Sequence, residues 1–441
     1  MALRPDSSSS LYKWYVVSLL LLVYILSYFD RYILSLVIEP IKHAMHLSDF
    51  QVGLLLGPAF SLFNMIVVIP LGWYADRASR KWLLIAGIVC WCGMTSAAAF
   101  VATFVPLLLL RLGLGLGEAV VTPGSLSLIS DYFDRKSRAR PISIYMAGTY
   151  LGAGLAFLIG GHLVGWLQGL STFHLWGIGP FQSWQAAFLL VGLPGIVFAA
   201  AMLTVREPPR TETSNRGAGG ATPLAVLRYM KTQWRGFAVL FLGSSCNFAL
   251  STLTLWNVPL FERVWGWHIA AIGTATGVFY FIAGPIGTVA AVWCSRALGK
   301  NGHDGAMRTL LLGLLIAIPT SALYPVMSNA MVAVAIMFLA FVGKAIATAA
   351  GPAALTLITP GEMRGQSVAL FTTVITVVGP LLAPPLIGLA IDATGDPRSI
   401  GVVLSCFVLI VGIPSIALVA LGLRHYQQAV TAMDAVAAGA G

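Results

Sequence analysis

Five strongly ionisable side chains fall deep inside apolar stretches of this sequence: Asp30 and Arg31 in the first stretch, Arg111 and Glu118 in the fourth, and Lys344 in the tenth. Insertion scales put each at about 2.5–3.5 kcal/mol in hydrocarbon, so facing all five to lipid would cost roughly 12–18 kcal/mol. That matches or exceeds the stability of a typical folded protein. The five must face protein or a wet cavity. Asp30 and Arg31 are adjacent, hence about 100° apart around a helix, and do not pair with each other. Arg111 and Glu118 share a helix face but stand about 10 Å apart along it. From the outer end of each helix the depths are about 10–12 Å for Asp30 and Arg31, about 8 Å for Arg111 and about 18 Å for Glu118. These depths favour pairing between helices, Arg31 with Glu118 and Asp30 nearer Arg111.

Two kinds of chemistry fit such a group. One is a static ion-pair cluster that fixes the packing of two helices. The other is a protonation switch, because desolvation pulls a buried carboxylate toward its neutral form while a neighbouring arginine pulls it toward the charged one. A proton taken by Glu118 or Asp30 would loosen an arginine, which then accepts an anionic group of a substrate. Proton coupling is thus assigned to Asp30, Arg31, Glu118 and Arg111, and substrate binding to Arg31 and Glu118. Lys344 stands alone in its half of the chain. Either a substrate anion completes it, or a backbone carbonyl or water does. Asn64 and Asn247 are candidate polar neighbours for a substrate there.

The elements that must hold these residues follow from composition. The chain has 441 residues, of which 58% are hydrophobic and 10% charged, against about 25% charged in soluble domains. Most of its surface must face lipid. Twelve apolar spans can be marked, at about 14–38, 51–75, 82–104, 106–130, 141–167, 184–205, 236–260, 268–294, 308–326, 330–359, 365–391 and 399–423. They are continuous rather than alternating, so helices are expected and barrel strands are not. Gly284-Pro285, Gly351-Pro352, Gly379-Pro380 and Pro384-Pro385 are expected to break or kink spans 8, 10 and 11. The net charge of +10 does not signal nucleic acid, because the basic residues fall in alternate loops rather than on one face or tail. Twenty lie at the N-terminus, in the even-numbered gaps or in the tail, against Lys42, Arg263 and Arg398 in the odd-numbered gaps. That bias places both termini in the cytoplasm. The five cysteines sit in apolar stretches without metal-ligand spacing, and no metal site or cofactor is expected.

The polar, proline- and glycine-rich stretch 206–233 divides the chain into an N-terminal bundle, 1–205, and a C-terminal bundle, 234–424, with a tail over 425–441. The two bundles read as repeats: Thr122 to Ser130 in span 4 answers Gly351 to Thr359 in span 10 at an offset of 229, and Arg138 then answers Arg364. Two six-helix halves around a cleft is a transporter plan.

The gap between spans 2 and 3 runs Gly72-Trp73-Tyr74-Ala75-Asp76-Arg77-Ala78-Ser79-Arg80-Lys81. It resembles the cytoplasmic signature G-x-L-A-D-R-x-G-R-K of the major facilitator superfamily, departing at Tyr74 and Ser79. Arg111 to Ala119, with Gly115 and Gly117, is similar to that family's R-x-x-x-G-x-G-x-A motif. Span 5 is rich in glycine but lacks the closing Gly-Pro of the antiporter motif. Within the superfamily the spinster branch is the nearest likeness, through Tyr28-Phe29-Asp30-Arg31-Tyr32, Leu47-Ser48-Asp49, Gly117-Glu118-Ala119 and Ile129-Ser130-Asp131-Tyr132-Phe133. The resemblance implies an all-α membrane protein of twelve transmembrane helices in two pseudo-symmetric bundles. It also implies a cytoplasmic gate made by Gly72, Asp76, Arg77, Arg80, Lys81 and Arg138. The equivalent stretch Ala291 to Lys300 keeps Arg296 but has Ser295 for the acid.

Spinster proteins carry amphipathic lipids such as lysophospholipids and sphingosine phosphate with protons, so the resemblance implies proton-coupled alternating access for a lipid-like substrate. Anion–cation symporters for sugar acids also carry a Tyr-x-Asp-Arg in span 1, which leaves small organic anions as the alternative. A monomer in a bacterial cytoplasmic membrane is expected, with membrane lipids and the substrate as its partners.

Overall fold

The computed structural model describes residues 10–75, 78–134, 137–170, 173–175, 179–208, 223–299 and 304–439. Among them are twelve helices long and apolar enough to cross a membrane. Spans 1 to 6 are Ser10–Met45, Asp49–Val67, Arg80–Ala98, Phe104–Tyr132, Ala139–Gln168 and Ser183–Met202. Spans 7 to 12 are Trp234–Trp265, Ile269–Leu298, Gly305–Val326, Ala330–Leu357, Arg364–Thr394 and Pro397–Met433. Helices close every internal backbone hydrogen bond within the segment, which hydrocarbon demands. Their ends carry ordinary signals. Ser48 and Gln51 form a reciprocal capping box at the start of span 2, Ser79 caps span 3, and Asn329 caps span 10. Gly266 stops span 7 with a φ of 64°, a conformation that only glycine adopts without strain.

Several spans are irregular where they approach other groups. Span 4 is two helices, Phe104–Glu118 and Val121–Tyr132, so Glu118 is the last residue of the first piece. Span 7 tightens to a 3₁₀ turn at Leu253–Trp256. Span 11 widens to a π turn at Val377–Leu382 around Gly379-Pro380, as its proline led one to expect. Pro285 and Pro352, by contrast, lie inside uninterrupted helices, Ile269–Leu298 and Ala330–Leu357. The break expected at Gly284-Pro285 does not occur, and the Thr288 hydroxyl donates to the Gly284 carbonyl at 3.0 Å. A short hairpin, Phe173–Leu175 with Gly179–Phe181, joins spans 5 and 6. It left no sequence signal.

The chain divides into two compact units that do not follow chain order. The first holds residues 1–47, 59–214 and 269–277, and the second holds 48–58, 215–268 and 278–441. In the first, span 1 lies along span 5, whose Gly148 and Gly152 abut Tyr24 and Tyr28. Glycines also set the approach of span 4. A Cβ at Gly115 would stand 2.5 Å from the Phe60 carbonyl oxygen, and one at Gly117 would stand 2.8 Å from Trp91 N. In the second unit span 9 lies along span 10 and span 7 along span 12. There the segment Asp49–Leu56 packs on Ala383–Thr394, with Gly53 against the backbone of Pro384 and Pro385.

Candidate transport site

In the first unit the four charges of spans 1 and 4 come together as one buried group. Arg31 Nη2 donates to Glu118 Oε2 at 2.9 Å, the pairing the depths had favoured. The two are unequally placed: the Arg31 side chain is 33% exposed and that of Glu118 1%. The guanidinium carbon of Arg31 lies 4.4 Å from the centre of the Phe60 ring and 5.0 Å from that of Tyr28. Both are cation–π distances. Arg111 Nη1 donates at 3.0 Å to Asp30, but to its backbone carbonyl and not to its carboxylate. The other face of Arg111 rests on Phe188.

Asp30 is fully buried. The Cys92 thiol donates to its Oδ2 at 3.8 Å, and the Thr95 hydroxyl and Trp91 indole of span 3 lie beside the carboxyl without closing a hydrogen bond. Asp30 Oδ1, Glu118 Oε1, Arg31 Nε, and Arg111 Nε and Nη2 have no partner among the described residues. Two cations and two carboxylates thus share one low-dielectric space, where each hydrogen bond made or lost counts for more than in water. Trp91, Cys92 and Thr95 carried no signal in the sequence, because each reads as one more residue of an apolar helix.

Asn64 is half-buried in span 2, one turn beyond Phe60. In the second unit Lys344 is buried, with Nζ 4.3 Å from the centre of the Phe341 ring and no acidic partner among the described residues. Phe341 meets Phe279 and Tyr280 edge-on, and Phe279 meets Phe338. Asn247 donates from Nδ2 to Thr348 Oγ1 at 2.8 Å and to the Lys344 carbonyl at 3.3 Å, while its Oδ1 is unpartnered. Asn247 therefore meets the lysine's backbone, and the ammonium group faces aromatic carbon.

At the other end of span 3 the residues expected to form a gate divide. Arg80 is buried, donating to Asp131, to Ser127 Oγ at 3.1 Å, to the Pro208 carbonyl at 3.1 Å and, from Nε, to Glu207 Oε1 at 3.2 Å. Ser79 and the Arg80 N–H also donate to Glu207. Burial pushes the Glu207 carboxyl up, but these hydrogen bonds and the Arg80 charge outweigh it and hold the group below its usual range. Lys81 Nζ reaches the Leu203 carbonyl at 2.6 Å. Arg138 stands just before span 5, and its N–H donates to the Asp134 carbonyl at 3.0 Å. Gly72 lies in the helix Pro58–Ala75, and Asp76 and Arg77 lie outside the described residues.

A second set of charges was not foreseen. Arg263 Nη2 meets Asp49 Oδ1 at 2.7 Å, with both side chains under 10% exposed. The Asp392 carboxylate accepts the N–H groups of Asp49 and Phe50, each at 2.8 Å. It thereby serves the open N-terminus of a helix. Only the Ser48–Gln51 cap hinted at this place, since its three charges sit at the ends of spans 2, 7 and 11, far apart in the chain.

Twelve spans with balanced charges sunk into two of them define a multi-pass membrane transporter, not an enzyme. The chain belongs to the Major Facilitator Superfamily, whose sequence pattern matches residues 20–343. Within it the chain is spinster-like. Its fold is similar to the crystal structure of a bacterial homologue of the human lysosomal transporter Spinster in an inward-facing, unoccupied conformation, with a TM-score of 0.78, 25% identity, and 96% of this chain and 98% of that one covered. Protein spinster of Drosophila melanogaster is 23% identical over 76% of this chain and 55% of its own length. An MFS-type efflux pump of Mycolicibacterium smegmatis is 24% identical over 87% and 85%. The probable galactarate/D-glucarate transporter GudP of Escherichia coli is 26% identical over 87% and 88%.

Proposed function

We propose that the protein is a proton-coupled, alternating-access transporter of an amphipathic, lipid-like substrate with an anionic head, of the lysophospholipid or sphingosine-phosphate type. The carrying observation is the unequal Arg31–Glu118 pair, a partly exposed cation held by a fully covered carboxylate. A proton on Glu118 removes the charge that holds Arg31. Two arginines then face one remaining carboxylate, and the group gains a single positive charge that a substrate anion can balance. Asp30 is the second proton site, since its carboxylate takes no arginine directly. Substrate departure restores the Arg31–Glu118 bond and releases the proton.

The amphipathic character rests on what flanks each cation. Phe60 and Tyr28 enclose Arg31, and Phe341 with its aromatic neighbours encloses Lys344. One charge beside broad apolar walls suits a head and a hydrocarbon tail, whereas a polyhydroxylated acid needs many polar partners. We assign the two six-helix halves to 1–205 and 234–424, with 206–233 as a cytoplasmic linker and both termini cytoplasmic. The gate is assigned to Gly72, Asp76, Arg77, Arg80, Lys81 and Arg138. The protein acts as a monomer in a bacterial cytoplasmic membrane.

The second reading is a proton-coupled symporter of sugar acids, favoured by the likeness to the galactarate/D-glucarate transporter GudP over nearly the whole chain. Proteoliposomes carrying an imposed pH gradient separate the two. Lysolipid flux that collapses with the gradient is expected. Flux of sugar acids alone would establish the second reading.

A further inference from the structure

Between the two halves the chain forms a short helix, Pro223–Thr232, which ends two residues before span 7 begins at Trp234. One face of it is fixed to the second unit. Val226 and Met230 are buried, and the Tyr229 hydroxyl donates to the Ile358 carbonyl at 3.1 Å and lies 3.4 Å from Met433 Sδ. The Tyr229 ring meets Phe237 edge-on.

The opposite face is unusual for a helix in water. Leu224 is 65% exposed and Leu227 51%, and beside them stand the exposed cations Arg228 and Lys231. The spacing of these four, at steps of three or four residues, puts them on one stripe. The first turn of span 7 adds Trp234, 59% exposed, and Arg235, whose guanidinium carbon lies 5.5 Å from the Trp234 ring centre. No acidic residue occurs between Glu212 and Glu262, and none of the three cations has an acidic partner among the described residues.

A solvated linker helix would carry acids at three- or four-residue spacing to pair these charges, and would not hold leucines out. Leucine and tryptophan beside unpaired basic residues are the surface of a helix lying in the headgroup layer, with its apolar side chains at the acyl boundary. The position agrees, because the helix stops at the mouth of a membrane span. We propose that Pro223–Thr232 and the first turn of span 7 form a binding site for anionic phospholipid headgroups of the adjoining leaflet. Arg228, Lys231 and Arg235 take the phosphates, while Leu224, Leu227 and Trp234 enter the boundary beneath. The charges favour an anionic over a zwitterionic surface, and the leucines distinguish a lipid from a free phosphate.

The test is hydrogen–deuterium exchange of segment 223–235 in the full-length protein, in nanodiscs of phosphatidylcholine alone and with added phosphatidylglycerol. Slower exchange with phosphatidylglycerol is expected, weakening as salt is raised. The Arg228→Gln/Lys231→Gln/Arg235→Gln variant should lose that dependence, with headgroup affinity falling about fivefold per cation removed. Equal exchange in both discs would overturn the proposal, whatever the variant does. Retained dependence in the triple variant would assign the effect to other residues and overturn it too. Equal slowing by inorganic phosphate in phosphatidylcholine discs would replace the lipid site with a soluble-anion site.

Discussion

In the first unit the four charges of spans 1 and 4 cancel within one group, while Lys344 in the second is a buried charge with no acid beside it among the described residues. Around Arg31, Glu118, Arg111 and Asp30 each formal charge has an opposite within the group, and the nearest bond, Arg31 to Glu118, is 2.9 Å long. Around Lys344 there is aromatic carbon and no acid among the described residues. A cancelled cluster is complete without a ligand and becomes unbalanced when a proton arrives. A lone cation is unbalanced from the start and becomes complete when an anion arrives. The first is suited to coupling and the second to binding, which is why similar desolvation costs can serve different ends.

The largest effect expected from this contrast comes from Glu118→Gln, which fixes the protonated form. Substrate accumulation driven by a pH gradient should fall to the level seen without a gradient, because the group that takes the proton is gone. Asp30→Asn should do the same, and in both variants substrate binding should persist. Proteoliposome uptake with and without the gradient measures this. Full gradient-driven uptake in both variants would reduce the cluster to a packing device.

Stability should separate the two regions in opposite directions. Glu118→Leu leaves Arg31 uncompensated and should destabilise the protein by about 3–5 kcal/mol. Lys344→Met removes a desolvated charge that has no acidic partner among the described residues, so the empty protein should be unchanged or more stable by ~1–3 kcal/mol. Substrate affinity should nonetheless fall about tenfold or more. Thermal unfolding in detergent, with and without substrate, gives both numbers. Equal destabilisation by the two changes would end the distinction.

The helix entrances offer a milder form of the same contrast. Arg80 is buried among Asp131, Glu207, Ser127 and the Pro208 carbonyl, whereas Asp304, before span 9, takes Arg308 at 2.7 Å and Gln427 at 2.6 Å. Burial raises the Asp304 carboxyl, but the Gln427 and Arg308 bonds hold it below its usual range, as the Ser79 and Arg80 bonds do for Glu207. A carboxyl that is more acidic folded than unfolded stabilises above its ordinary value, near pH 4, and loses that contribution as pH falls through the folded value. Melting temperature should therefore drop as pH is lowered below about 4. Arg80→Gln should lower it by more than Asp304→Asn and flatten part of the acid slope. An unchanged slope in Arg80→Gln would show that Glu207 does not depend on Arg80.

Much of this was legible in the sequence, for a physical reason. Charge in hydrocarbon is so costly that Asp30, Arg31, Arg111, Glu118 and Lys344 announce themselves, and helix depth alone was enough to bring Arg31 to Glu118. Depth also put Asp30 nearer Arg111, and the two do meet, though depth says nothing of which atom accepts, and here it is the Asp30 backbone carbonyl. Composition hid the rest. Trp91, Cys92 and Thr95 look like any apolar helix, and Asp49, Arg263 and Asp392 meet only through tertiary packing. The linker 206–233 read as a proline- and glycine-rich connection because those residues crowd its first half, and its second half folded as a helix. At Pro285 and Pro352 the helices run on without a break, so a proline in the sequence did not by itself mark an interruption.

The smallest effect tests whether the span 3 residues tune Asp30 or only pack against it. Thr95 has nearly the shape of valine, so Thr95→Val removes one hydroxyl and leaves the packing. That hydroxyl lies beside a carboxyl whose Oδ1 has no partner among the described residues, and the charged carboxylate is the form that would draw a bond from it. A single hydrogen bond contributes about 0.5–1.5 kcal/mol, equivalent to roughly half to one pH unit. With this donor gone, the pH profile of transport should shift by that amount, while substrate affinity at saturating proton and the melting temperature stay as they were. Thr95→Ser, which restores the hydroxyl, should return the profile to its place. A shifted melting temperature with an unshifted profile would make Thr95 a packing residue and leave Asp30 to titrate without help from span 3.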